Sequence, residues 1–286
     1  MILAQFFSEA SGFRPNPRPW RPARAIRASF WLHGAALAAV LLCPRHWVWF
    51  ITLLLADHLL LTLCGLWPRS TLLGSNLVRL PPSAARRGLI ALTFDDGPDP
   101  EVTPAILDLL DANGAKASFF CIGKRAKRHP ELIREMVRRG HSVENHSFRH
   151  SNLFACYPLG ALRREIARAQ AILAACSGAA PRFFRAPMGF RNPLLDPALA
   201  RAGLHYVSWT RRGFDTACRK PETVLHRLTR NLAEGDILLL HDGSSARTTE
   251  GEPVSVQVLS ALLPILAARG LRAVSLPMAM EGSPNG

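Results

Sequence analysis

Three absences narrow the reading before any motif is considered. The six cysteines, Cys43, Cys64, Cys121, Cys156, Cys176 and Cys218, show no short paired spacing. That excludes a cysteine-built zinc ribbon, and the scatter fits buried fillers in a reducing compartment. Neither a nucleic-acid-binding motif nor a surface of interleaved aromatic and basic residues is present, so the formal charge of +14 is not read as a nucleic-acid footprint. No acid lies between Glu9 and the first apolar run, and no small-residue cleavage site follows that run. The run is therefore read as a retained anchor and not as a removed signal peptide.

What is present begins with two apolar runs, 28–43 and 47–67, separated only by Pro44, Arg45 and His46. The second is long enough to span a bilayer, and the first needs a few flanking residues to do so. Trp31, Trp47, Trp49 and Trp67 lie near the ends, where indole rings favour the membrane interface. A basic segment, 1–27, carries Arg14, Arg18, Arg21, Arg24 and Arg27 ahead of the first run. The positive-inside rule keeps such a segment in the cytoplasm, and a two-span hairpin returns the chain to that side. Arg69, Arg79, Arg86 and Arg87 after the second run agree with this orientation in a bacterial inner membrane. One span with the other run lying in the interface would instead place the following domain outside. Residues 1–87 carry a net +8, ten Arg against two acids, which suits attraction to anionic lipid headgroups.

After a Pro, Ser and Arg linker at 68–86, strand and helix patterns alternate across 87–277, leaving 278–286 as a flexible tail. Strands are predicted at 88–94, 117–122, 141–144, 182–185, 206–209, 237–240 and 272–276. Helices are predicted at 104–113, with Thr103 as N-cap, and at 131–139, 159–175, 194–202, 223–232 and 256–269. Seven strands alternating with helices call for a parallel sheet closing into an irregular α/β barrel, whose chemistry sits at the C-terminal strand ends.

The polar residues gather at those ends. Asp95 and Asp96 leave the first strand side by side into Gly97-Pro98. Two adjacent buried carboxylates need a cation or a shared proton. His146 and His150 follow the third strand, and on a helical turn their spacing puts both rings on one face. With one Asp they make a three-donor set that leaves a position open for water. Arg185 to Gly189 follow the fourth strand, Trp209 and Asp215 the fifth, and Leu240, His241 and Asp242 the sixth. Together these are what amide hydrolysis requires: a metal to polarise water and carbonyl, a carboxylate to take a proton, and an imidazole to return one.

In this order the motifs resemble the five of the polysaccharide deacetylase family, the NodB homology domain of carbohydrate esterase family 4. They are Thr93-Phe94-Asp95-Asp96-Gly97-Pro98, His146-Ser147-Phe148-Arg149-His150, Arg185-Ala186-Pro187-Met188-Gly189, Trp209 to Asp215, and Leu240-His241-Asp242. The resemblance covers about two thirds of the chain and nothing of the apolar hairpin. It implies a distorted (β/α)7 barrel and a hydrolase that removes an N-acyl group, acetyl by preference, from an amino sugar of a glycan or lipid-linked saccharide.

The resemblance also implies roles. Asp95 is the general base and His241 the general acid. Asp96, His146 and His150 bind a divalent metal, usually zinc, that activates the water. Arg185 orients Asp95, Asp215 tunes or orients His241, and a backbone amide at Met188 helps hold the oxyanion. Trp209 and Leu240 are the candidates for the acyl pocket. Two departures stand out: Met188 occupies a place usually held by Tyr or Phe, and Thr216 follows Asp215 where Trp is usual. Neither touches a proposed ligand or proton carrier, so an active enzyme is expected. Deformylation of a lipid-linked aminosugar and a catalytically idle carbohydrate-binding protein are the alternatives.

Overall fold

The computed structural model describes residues 17–281. Arg14 and the rest of 1–16, like 282–286 of the expected tail, lie outside the described residues. The strands are β1 (Leu89–Asp95), β2 (Ser118–Cys121), β3 (Ser142–Asn145), β4 (Phe183–Phe184), β5 (His205–Tyr206), β6 (Arg211–Arg212), β7 (Ile237–His241) and β8 (Arg272–Val274). They form one parallel sheet in the order β5-β4-β3-β2-β1-β7-β6, with β8 paired to the start of β1. The sheet curves as a barrel does, and among the described residues no ladder joins β5 to β6. Strand β6 escaped the sequence pattern because two consecutive arginines carry no apolar alternation.

The pleat sorts the core into two layers. Ile90, Leu92 and Phe94 of β1, with Phe119, Val143, Leu238 and Leu240, face outward under helices Val102–Ala112 and Val254–Ala268. Leu89 and Ala91 face inward with Phe120, Phe183, Val207 and Ile237, plugging the barrel floor. With β1 buried at every position, the C-terminal rim is the place where polar side chains emerge.

Three expectations are corrected. The 68–86 stretch is not a free linker: Leu73, Leu80 and Ala84 are buried, and Leu77 bridges Val207 in the gap beside β5. Residues 276–280 form helix Leu276–Met280, so strand and tail both end differently from expectation; Pro277 is tolerated there at the helix start. Thr103 is not the N-cap. Asp99 Oδ1 accepts from the amides of Glu101 and Val102, freeing the Thr103 hydroxyl to reach Asp242 Oδ2 at 2.8 Å.

The two apolar runs are helices Arg24–Leu42 and Trp47–Leu66, each long and apolar enough to cross a membrane. The first gains its length from residues 24–27. Their large apolar side chains point outward, as with Phe30 and Trp31, 70% and 80% exposed. Ser29 donates to Asp57 Oδ2 at 2.6 Å and His33 packs on His58, so the few polar groups of the pair meet one another.

Candidate active site

Thr93 and Asp95 share a face of β1, and the register puts Asp95 directly opposite His241 of β7. Arg185, completely buried after β4, donates from Nη1 to Asp95 Oδ1 at 2.6 Å and to Thr93 Oγ1 at 3.0 Å. Its Nη2 donates to the carbonyl of Ser208 at 2.9 Å, and its guanidinium lies 4.1 Å from the centre of the Phe120 ring. The carboxylate of Asp95 is therefore compensated and fixed in orientation.

Asp96 turns the other way because its backbone is left-handed, φ 75°. Its Oδ1 is buried without a hydrogen bond, 3.4 Å from His146 Nε2 and 3.2 Å from His150 Nε2. The rings converge from a loop, not from the helical turn expected. Ser147 and His150 have φ of 62° and 54°, which no helix accepts. Asn145 Oδ1 accepts from the Ser147 amide and Ser147 Oγ from the His150 amide, so local side-chain bonds replace helical ones. His146 Nδ1 stands 2.8 Å from the carbonyl of Arg185, which can only accept. Nδ1 thus carries a proton and Nε2 is the nitrogen turned toward Asp96; burial lowers this imidazole, but the charge of Asp95 and the hydrogen bond and charge of Asp96 raise it above its ordinary value.

Electrostatics agree with a cation site. Burial would raise the Asp96 carboxyl, but His146, then His150 and His241, hold it well below the usual carboxylate range. Burial first, and then the charge of His146, pushes His150 down to about 4, so it is neutral and available as a ligand. The orphaned Oδ1, a His146 whose Nδ1 is engaged and whose Nε2 faces the site, and a neutral His150 fit a divalent ion, and the three donor atoms lie within 4.8 Å of one another. A second such cluster, His33, Asp57 and His58, sits between the two apolar helices.

On the opposite wall, Asp215 is fully buried and holds His241 twice. Oδ2 accepts from the His241 amide at 2.8 Å and Oδ1 lies 2.9 Å from Nδ1. Burial alone would lower this imidazole, yet the charge and hydrogen bond of Asp215, followed by Asp95 and Asp96, raise it to about 9. His241 therefore carries a proton at neutral pH, with Nε2 as its free ring nitrogen.

Asp95, Asp96, His146, His150, Met188, Trp209 and His241 all line one cavity of about 330 Å³, while Arg185 and Asp215 stand behind it. Leu240 does not line it. Alternation along β7 turns Leu240 into the outer core and puts Leu239 on the cavity wall between Ile237 and His241. The cavity also includes Thr216, one of the two departures noted in the sequence, and Asn152, Arg212 and Ser244, which sequence reasoning did not single out. Thr93 and Asp242 were missed as supports: Asp242 accepts from the Gly97 amide at 3.1 Å and from Thr103, fixing the turn after Asp96. Thr93 was legible from the two-residue spacing to Asp95. Among the described residues, six of the seven non-glycine residues in left-handed backbone, Asp96, Ser147, His150, Met188, Phe214 and Ser244, lie on the loops around this cavity. Such clustering of strained positions is characteristic of functional sites.

The C-terminal rim of this barrel-like parallel sheet thus gathers a carboxylate, an imidazolium and an Asp-His-His set of donors that could hold a cation. The sequence profile of the family described as polysaccharide deacetylase matches residues 83–207. The chain is 37% identical over 194 residues to a chitooligosaccharide deacetylase of Bradyrhizobium sp. (strain ANU 289), covering 66% of this chain and 89% of that one. It is 35% identical to a peptidoglycan-N-acetylglucosamine deacetylase of Bacillus cereus, covering 66% and 86%. Among solved structures, the Bc1960 peptidoglycan N-acetylglucosamine deacetylase superposes with a TM-score of 0.64 at 31% identity, over 71% of this chain and 92% of that one. The chain belongs to the polysaccharide deacetylase family, whose named relatives are amide hydrolases.

Proposed function

We propose that this protein is a membrane-anchored, metal-dependent hydrolase that removes an N-acetyl group from an N-acylated amino sugar. The observation that carries the reading is the opposition, across one small cavity, of Asp95 held by Arg185 and a protonated His241 held by Asp215, with the Asp96, His146 and His150 donors between. Asp96, His146 and His150 would hold zinc or another divalent ion, which would supply Lewis acidity toward water and the acyl carbonyl. Asp95 is the base: its free Oδ2 takes the proton of the attacking water while Arg185 keeps Oδ1 engaged. The Met188 turn offers a backbone amide toward the acyl oxygen as charge develops there. His241 then gives its Nε2 proton to the departing amine, and Asp215 stabilises the imidazolium until that moment. Trp209 and Leu239 form the apolar wall for the acyl methyl.

The two apolar helices support an integral hairpin, and the arginines flanking it support a catalytic domain on the cytoplasmic face. Release of acetate or formate from a panel of N-acylated sugars by metal-loaded protein tests the reaction and the acyl group. Formate alone would make the enzyme a deformylase, and no acyl release from any sugar contradicts the hydrolase. A reporter fused at Gly286 tests the side, since periplasmic activity contradicts the two-span topology.

A further inference from the structure

The end of the hairpin is built into the mouth of the cavity. The carbonyl of Gly65, in the last turn of Trp47–Leu66, accepts from the amide of Arg191 at 3.1 Å. A Cβ at Gly65 would lie 2.2 Å from the Arg191 carbonyl oxygen, so the two backbones touch. Pro68 packs on Gly189, where a Cβ would meet both Trp209 and Pro68 at 2.5 and 2.9 Å. Arg69 then donates to the carbonyl of Thr210 at 3.4 Å. Met188 and Trp209 line the cavity, so its rim lies one residue from contacts with the chain leaving the apolar helix. A soluble glycan gains nothing from that proximity. A sugar carried on a lipid cannot leave the interface, and the site must be there to meet it.

The second observation is Arg212, which lines the same cavity. Its guanidinium lies 5.3 Å from the centre of the Trp209 ring and 4.8 Å from that of Phe214. No carboxylate of the described residues lies within 4.0 Å of it, and its buried Nε has no hydrogen-bond partner. Its neighbour Arg211, on the other face of β6, bonds to Asp236 and to two carbonyls. Arg185, behind the same cavity, spends its donors on Asp95, Thr93 and backbone carbonyls. A guanidinium held by two rings with its fork unfilled is suited to a phosphate, which a neutral oligosaccharide does not offer.

We propose, resting on the deacylase reading above, that the substrate is an N-acylamino sugar joined through phosphate to a membrane lipid, with Arg212 binding the phosphate. The same phosphate chemistry occurs in soluble nucleotide sugars, and the hairpin contact favours the lipid. Full-length protein in metal-supplemented phosphatidylcholine and phosphatidylglycerol nanodiscs is given polyprenyl-diphosphate N-acetylglucosamine, UDP-N-acetylglucosamine or chitotetraose, and acetate is measured. The lipid-linked sugar is expected to exceed both soluble substrates in kcat/KM by about 100-fold. Arg212→Gln is expected to raise KM for it by about 10- to 100-fold, the range for a lost charge-assisted contact, with little change in kcat, and Arg212→Lys to recover part. Preference for chitotetraose overturns the inference and leaves the deacylase reading standing. Equal use of the nucleotide sugar overturns the lipid assignment, and an unchanged KM in Arg212→Gln overturns the role of Arg212. Absence of acetate from all three overturns both readings.

Discussion

Replacing Asp215 by Asn separates the acid role of His241 from simple scaffolding. The raised value of His241, about 9, arises against a burial penalty and chiefly from the charge and hydrogen bond of Asp215. Because it is raised, the acid form is present below that value and lost as pH rises through it. Without the carboxylate the imidazole falls back to its ordinary value of about 6.5 or lower. At pH 8 the protonated fraction then drops from about nine tenths to about three hundredths, a loss of about 30-fold in kcat/KM from ionisation alone. At pH 6 the same substitution costs less than about 1.5-fold by this route. Steady-state acetate release between pH 5.5 and 9.5 reads the alkaline limb directly. A limb moving down by about 2.5 units is expected. An equal loss at every pH would make Asp215 a mere support for the backbone of His241, and an unmoved limb would remove His241 as the acid.

Other positions carry independent consequences. His141 accepts from the Ala117 amide at 3.2 Å through Nδ1, and burial, then the charge of Lys116, push it down to about 4. Its stabilising contribution is complete above about pH 6.5 and is lost as pH falls toward 4, by at most about 3 kcal/mol. Glu144 and Asp242, both raised to about 7 by burial, act in the opposite sense, losing stability as pH rises toward 7. The comparison that isolates His141 is therefore urea unfolding of wild type against His141→Gln at pH 5 and 7, with a smaller pH 5 deficit expected in the variant. Arg185→Met leaves Asp95 buried and uncompensated and is expected to cost about 3–5 kcal/mol in the same assay, whereas a loss below about 1 kcal/mol would deny the pair its structural part. Gly65→Ala drives a Cβ into the Arg191 carbonyl, and an overpacking cost of about 1–3 kcal/mol should undock the hairpin and speed proteolysis within 68–80.

The sequence was most legible where chemistry is carried by side-chain type at a strand end. Asp95, Asp96, His146, His150 and His241 needed only the alternation of apolar runs with polar exits to be placed on one rim. The path of the backbone between His146 and His150 was not legible, since four-residue spacing suits a helix as well as the Asn145- and Ser147-braced loop that is found. Leu240 was misplaced by one residue because an all-apolar strand, Ile237 to Leu240, gives no polar alternation from which to choose a face. The packing of 68–86 into the sheet gap depended on long-range contacts such as Leu77 with Val207, which composition rich in Pro, Ser and Arg conceals. Arg212 was invisible for the same reason: two adjacent arginines read as solvated loop until the pleat sends one to Asp236 and the other to the cavity.

The central claim is a division of labour between adjacent carboxylates: Asp96 holds the ion and Asp95 moves the proton. Ion content and acetate release measured together on purified full-length Asp95→Asn and wild type test it most directly. Wild type is predicted to hold about one divalent ion per chain and to release acetate, and Asp95→Asn to keep the ion while losing release by at least about 100-fold. An Asp95→Asn protein that loses the ion, or that keeps the ion and still turns over, would contradict the account.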